Sequence, residues 1–222
     1  MKAVAVAHVK YEEGDGFGHL MAWASLFPLL ILAGFVSLII FRRELQTITF
    51  FMGIIISGIC SEHIKSEVKQ ARPLTCEVLE MCDSHGWPSN HSQFMTFFSI
   101  YITYMALFKW SFSDSFTRGF TIACPWPFAI ATMYSRIYLG YHTTSQVVAG
   151  FCAGLIMGSL WFLTVNMLIA PLFPSIENTR LARALYIRDS SHIPNVMLFE
   201  YNNSIAARKQ ASQAAESKSS KD

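Results

Sequence analysis

Three short clusters hold residue types that can bind and attack an anion with several oxygens. The first is Lys65-Ser-Glu-Val-Lys-Gln-Ala-Arg72-Pro73. If helix continues to about Arg72, Lys65 and Arg72 lie two turns apart on one face, and Pro73 then turns the chain. The second is Pro88-Ser89-Asn90-His91, directly before an apolar run. Ser89 or Asn90 is a natural N-cap, so free N–H groups and the positive helix end meet there, an arrangement that takes phosphate readily. The third is Ser135-Arg136-Ile-Tyr-Leu-Gly-Tyr-His142. Gly140 can end a helix within it, and Gln146 shares a helix face with His142. Taken singly, each cluster has a plainer reading: cations at span ends reach for headgroups, a lone histidine is structural, and Pro-Ser-Asn is a turn and cap. Together they supply three cations, a donor-rich helix start and two imidazoles, which is what a bound oxyanion, a nucleophile and an acid require.

The elements that must position these clusters are membrane helices. Of 222 residues, 52% are hydrophobic and 14% charged, and mean hydropathy is +0.34. A soluble chain is about 25% charged, so polar surface is too scarce to coat a water-soluble core. Disorder and a disulfide scaffold are excluded on the same grounds. A net charge of +2 gives no basic field for nucleic acid. Five runs read as spans: Leu20 to Phe41, Thr47 to Ser61, Phe94 to Phe108, the stretch between Arg118 and Arg136, and Val147 to Phe173. The first is long enough for a bilayer core of about 30 Å. The second is short and meets Glu62-His63, so it must face protein or water on one side. Pro125 and Pro127 kink the start of the fourth. The expected fold is an all-α, polytopic membrane helical bundle of about five spans, with four to six in range.

The remaining segments are a polar N-terminal stretch (1–19), a catalytic loop (65–93) inside a membrane-embedded domain (20–176), a juxtamembrane segment (177–204) and a polar tail (205–222) read as disordered. Residues 3–7 are too short for the apolar region of a cleaved signal peptide. Strict alternation of five spans puts all three clusters on one membrane face with six of the 17 basic residues, leaving eleven on the other face. By the positive-inside tendency, the clusters are lumenal or extracellular and the C-terminus is cytoplasmic. Cys76 and Cys82 share the polar loop and read as two free thiols, or as a pair if the loop faces an oxidising lumen.

As a set, the clusters resemble the signature of the type 2 phosphatidic-acid-phosphatase superfamily, K-x6-R-P, P-S-x-H and S-R-x5-H-x3-D. Wider stretches resemble its dolichyldiphosphatase family, among them residues 8–15, 34–41, 91–95, 141–147 and 187–195. The resemblance implies a bundle of the phosphatase and haloperoxidase type, in the endoplasmic reticulum membrane. It implies a polyisoprenoid substrate, dolichyl diphosphate, cut to dolichyl phosphate and inorganic phosphate for protein N-glycosylation. His142 would attack phosphorus to form a phosphohistidine, and His91 would protonate the leaving oxygen and later activate water. Lys65, Arg72, Arg136, Ser89 and the Asn90 N–H would hold the phosphate oxygens. Two positions depart from the pattern. Gln146 stands where the signature has Asp, so it can orient the His142 ring without adding charge. Asn90 stands where Gly or Ser is more usual.

Neither cofactor nor metal is expected. No Cys has Arg six positions later, and no H-E-x-x-H or Walker-type run occurs. The nearest rival is a lipid phosphate phosphatase of broad specificity. A catalytically silent lipid-phosphate carrier is the rival of a different class. Oligomeric state is not legible.

Overall fold

A computed structural model describes residues 2–4, 9–80, 82–112 and 114–219. Two short antiparallel strands open the chain, β1 (Lys2–Val4) and β2 (Val9–Tyr11), in a segment read only as polar. Helices follow: α1 (Gly16–Ala24), α2 (Phe27–Arg42), α3 (Leu45–Val68), α4 (Cys76–Leu79), α5 (Asn90–Phe108), α6 (Ser115–Ala123), α7 (Pro125–Tyr138), α8 (Thr144–Thr164), α9 (Phe173–Glu177), α10 (Arg180–Leu185) and α11 (Val196–Ser219). The all-helical expectation holds apart from that strand pair.

The expected spans are present as helices, with informative differences. The first is broken at Ser25-Leu26 between α1 and α2, because Pro28 in the first turn of α2 cannot donate to the turn before it. The second is longer than expected, 24 residues, and carries Glu62 and Lys65 on its final turns. The fourth is divided at Cys124-Pro125 into α6 and α7. The fifth continues from α8 through a π turn, Val165–Ile169, and a 3-10 turn, Ala170–Leu172, into α9. Among the described residues, three stretches are long and apolar enough to cross a bilayer: Gly16–Arg42, Leu45–Val68 and Thr144–Glu177. Of the five expected spans, α5 and α6–α7 are the two that fall short. His91, Ser92, Gln93, Thr96 and Ser99 lower the apolarity of α5, and the break leaves 9 and 14 residues in α6 and α7.

The most extensive helix pairing among the described residues is α5 with α8. Gly150, Gly154 and Gly158 recur every four residues along α8, so one face is bare. A Cβ on Gly150 would stand 2.4 Å from the Ser89 carbonyl oxygen, and one on Gly154 2.5 Å from that of Gln93. An aromatic cluster seals the other end, with the Phe50 and Tyr101 rings 4.1 Å apart and Phe35, Phe97 and Phe162 around them. Outward apolar residues such as Leu30, Ile59, Ile156 and Leu160 are exposed, as a lipid-facing surface requires.

The described residues from 189 onward form a separate compact unit. Its 24-residue helix α11 runs through most of the stretch that the sequence reads as a disordered tail, 205–222, of which residues 220–222 lie outside the described residues. Ala206, Ala207, Arg208, Lys209, Gln210 and Ala211 are strong helix formers. Polar composition is what points to disorder there, and it leaves the helix preference of these residues intact.

Candidate active site

The three clusters meet at one end of the bundle. Lys65 is on the last turns of α3, Asn90 and His91 begin α5, Arg136 is near the end of α7, and His142 precedes α8. With Arg72 from the loop, they line one cavity of about 500 Å3. Two carboxylates, Glu62 and Asp83, share its wall with three cations. Ser89 and Gln146 are not on that wall. Both are fully buried behind it, and the Ser89 N–H donates to the Gln146 carbonyl at 3.0 Å. That bond joins the starts of α5 and α8, and so the two histidine-bearing segments. Ser89 occupies the N-cap position as read, but its hydroxyl bonds no backbone amide of the helix.

Gln146 has two roles. With Thr143 it forms a capping box at the start of α8: Thr143 Oγ1 accepts from the Gln146 N–H at 3.3 Å, and Gln146 Oε1 accepts from the Thr143 N–H at 3.2 Å. The same Oε1 lies 3.1 Å from His142 Nδ1. Gln146 Nε2 donates to the Ala71 carbonyl at 2.9 Å and reaches Gln70 Oε1 at 3.3 Å. The amide is therefore oriented by a backbone donor on one side and a backbone acceptor on the other. Its oxygen must face the ring, so Nδ1 carries the proton and Nε2 has the free lone pair.

Arg72 lies on the far side of that ring. Its Nη1 is 3.4 Å from His142 Nε2 and donates to the Tyr141 carbonyl at 3.0 Å, while its Nε donates to Ser84 Oγ at 2.8 Å. Burial, then the nearby Arg136 and Arg72 cations, depress the His142 imidazole from the usual 6.5 to about 3, and the Gln146 hydrogen bond partly opposes them. The ring is accordingly neutral across the physiological range.

Arg136 is buried. Its guanidinium carbon lies 3.9 Å from the centroid of the Tyr141 ring, a cation–π contact. Its Nη1 donates to Ser25 Oγ at 3.3 Å, and Ser25 Oγ pairs with Ser135 Oγ at 2.8 Å. The break between α1 and α2 thus supplies a residue that orients a cavity cation. Arg136 Nε, buried, has no hydrogen-bond partner among the described residues. Lys65 pairs with Glu62 at 2.8 Å. Glu62 also accepts from Asn90 Nδ2, whose Oδ1 accepts from Ser61.

The loop from Lys69 to Pro88 is fastened at several points. Cys76 and Cys82 form a disulfide, which decides between the two readings of that pair. Thr75 donates to the Gly140 carbonyl, the Lys10 ammonium pairs with Glu80 at 3.0 Å, and the Lys10 N–H donates to Tyr141 Oη at 2.8 Å. Gly86 packs on Gln146, where any Cβ would come within 2.4 Å of Nε2. Asp83 and His85 from this loop also line the cavity. Ser25, Glu62, Tyr141 and Gly86 escape sequence reasoning. The Thr143-x-x-Gln146 spacing, a capping-box pattern, is the one local signal that could have placed Gln146 in its buried role.

The sequence profile described as "PAP2 superfamily" matches residues 46–170. The chain belongs to the PAP2 superfamily. It is a multi-pass membrane phosphatase of that group. Among its PAP2 relatives, "Lipid phosphate phosphatase gamma" of Arabidopsis thaliana is 52% identical over 94% of this chain and 93% of its own. "Dolichyldiphosphatase 1" of Homo sapiens is 39% identical over 90% and 87%, and the Saccharomyces cerevisiae "Dolichyldiphosphatase" 31% over 87% and 83%. No solved structure matches.

Proposed function

We propose that this PAP2 chain hydrolyses the outer phosphate of dolichyl diphosphate, in the endoplasmic reticulum membrane and on its lumenal face. The observation that carries the chemistry is His142: its Nδ1 proton is directed to Gln146, and its Nε2 lone pair sits in a cavity with three cations. In this reading Nε2 attacks the terminal phosphorus, and the bond from phosphorus to the bridging oxygen breaks. Dolichyl phosphate leaves with a proton from His91. Water then attacks the phosphohistidine while His91 takes its proton, and inorganic phosphate departs with Nε2 restored. Lys65, Arg72 and Arg136 stabilise the non-bridging oxygens as charge shifts, and the unpartnered Arg136 N–H is a donor available for one of them. Asn90 contributes its backbone N–H at the start of α5, and Ser89 supports that turn from behind. No metal enters this mechanism, since the three cations supply the charge.

The dolichyl substrate is supported by the names of the human and yeast relatives, and the lumenal face by the charge asymmetry. The disulfide in the loop fits an oxidising compartment. The name of the 52% identical relative favours a second reading, a phosphatase acting on lipid phosphates more broadly. Dolichyl diphosphate labelled in its outer phosphate tests the first. Acid-labile, base-stable label on wild type and none on His142→Asn is expected. Faster turnover of phosphatidate than of dolichyl diphosphate would favour the second reading.

A further inference from the structure

A second cavity, of about 280 Å3, lies between α2, α3 and α5. Leu32, Ile54, Gly58, Phe94 and Phe97 give it an apolar wall. Most of its polar groups are turned to partners: Gln93 Nε2 donates to both the carbonyl and the hydroxyl of Ser57 at 2.8 Å, and Ser61 donates to Asn90, while Gln93 Oε1 is buried with no hydrogen-bond partner among the described residues. Asn90 lines this groove and the catalytic cavity alike. One side chain is therefore the common wall between a space built for an oxyanion and a space built for hydrocarbon. Ile55, on the groove's outer rim, is 45% exposed on a membrane-crossing helix, so the groove opens sideways toward lipid. The larger apolar cavity between α2, α5, α6 and α7 shares no lining residue with the catalytic cavity.

Resting on the diphosphate reading above, we infer that this groove receives the isoprenoid segment adjoining the diphosphate, with Asn90 at the junction of head and chain. The Asn90 side chain is well suited to that place. Glu62 and Ser61 hold it to α3 from both ends of its amide, so it keeps α3 and the start of α5 in register where the two spaces meet. At about 30 Å3 per heavy atom, the share of one water in the liquid, the groove holds about nine or ten carbons, or two isoprene units. Longer chain passes over Ile55 into the bilayer, where it gains nothing from the protein. Because a displaced tail returns to lipid rather than water, the groove's contribution is positional, and it acts on the reacting complex more than on partition into the membrane.

Gly58 provides the test, since a Cβ there meets nothing within 4 Å. Gly58→Leu places a side chain in free space on the groove wall, and Gly58→Ala adds the same helix preference with little volume. The probes are isopentenyl, geranyl and farnesyl diphosphate, of one, two and three isoprene units. For wild type and Gly58→Ala, kcat/KM should rise at least tenfold from one unit to two and change little at three. Gly58→Leu should remove that rise while keeping isopentenyl diphosphate within twofold of wild type. Equal losses on all three probes, or a rise that survives in Gly58→Leu, would overturn the groove assignment and leave the diphosphate reading standing. Wild type that hydrolyses phosphatidate but none of the three would remove the diphosphate reading, and this inference with it.

Discussion

His142 Nδ1 and Gln146 Oε1 lie 3.1 Å apart, and in the proposed mechanism that contact orients the ring without the acid the signature carries. An Asp at that position would accept the ring proton and stabilise an imidazolium. Gln146 accepts the same proton without charge, and its other end is occupied by the Ala71 carbonyl. The loop that bears Arg72 and the helix that follows His142 are thereby joined through one buried amide. A carboxylate could not make the second connection, because it has no N–H to give.

Gln146→Glu should therefore not be an improved enzyme. It retains an acceptor for His142 and adds charge, but it leaves the Ala71 carbonyl facing a carboxylate. We expect a loss of about 1–3 kcal/mol in stability and a higher pKa for the His142 ring, seen as an upward shift of the acid limb of kcat/KM. Gln146→Ala should lower kcat by about 10–100-fold, the range for lost support of a functional imidazole, with a smaller change in KM. Wild-type kcat in Gln146→Ala would separate this residue from ring orientation.

Burial of His142 as a neutral ring has a cost that depends on pH. Its folded pKa is depressed to about 3, against an ordinary value near 6.5 in the unfolded chain. Below about 6.5 the unfolded state takes up a proton that the folded state refuses, so stability falls as pH drops from about 6.5 toward 3. Between pH 7 and pH 5 this amounts to about 2 kcal/mol. The Tm of wild type in detergent should accordingly fall more steeply over that interval than the Tm of His142→Asn. Parallel curves for the two proteins would show that the ring is not held neutral.

Local spacing accounts for much of what was readable in the sequence. His91 after its N-cap and Arg136 with His142 reflect helix ends and turns, which depend on neighbours a few residues away, whereas the expected helix face shared by Lys65 and Arg72 is absent: α3 ends at Val68, Lys69 is left-handed, and Arg72 comes from the loop. Ser25 is 111 positions from Arg136 and Glu62 is 28 from Asn90, so no periodicity announces either contact. The helix break at Ser25 does have a local cause in Pro28, but hydropathy averaged over a span hides it. Averaging had a different effect at the C-terminus, where polar composition obscured the helix preference of residues 206–211. The catalytic loop was legible as polar, while its fastening by Thr75, Lys10 and the Cys76–Cys82 bond follows from partners brought by the fold.

The loop fastenings bear on how firmly Arg72 is held. Cys76→Ser with Cys82→Ser leaves His142 and Gln146 in place but frees the segment that presents Arg72, Asp83 and His85. Arg72 would then hold the phosphate and its shifting charge less reliably, so kcat/KM should fall severalfold through a higher KM and a lower kcat together. The same shift should follow treatment of wild type with a permeant reductant. Unchanged kcat/KM in both would show that the disulfide does not hold Arg72 in place.

The remaining prediction concerns how α5 and α8 bring two imidazoles to one cavity. At Gly154 a Cβ would press on the Gln93 carbonyl at 2.5 Å and on Thr96 Cβ at 2.8 Å. Neither neighbour is the flexible end of a side chain, so the helices themselves must separate. Gly154→Ala should cost about 1–3 kcal/mol, the range for overpacking a close contact. Its activity should fall in the fraction that remains folded, because the Ser89–Gln146 hydrogen bond at the helix starts depends on the same approach. Gly34→Ala is the matched control: that position lies on α2, where a Cβ meets nothing within 4 Å. It should leave both Tm and kcat/KM at wild-type values or raise Tm slightly. If Gly154→Ala behaved like Gly34→Ala in both measurements, close packing of α5 on α8 would not be what positions the histidines.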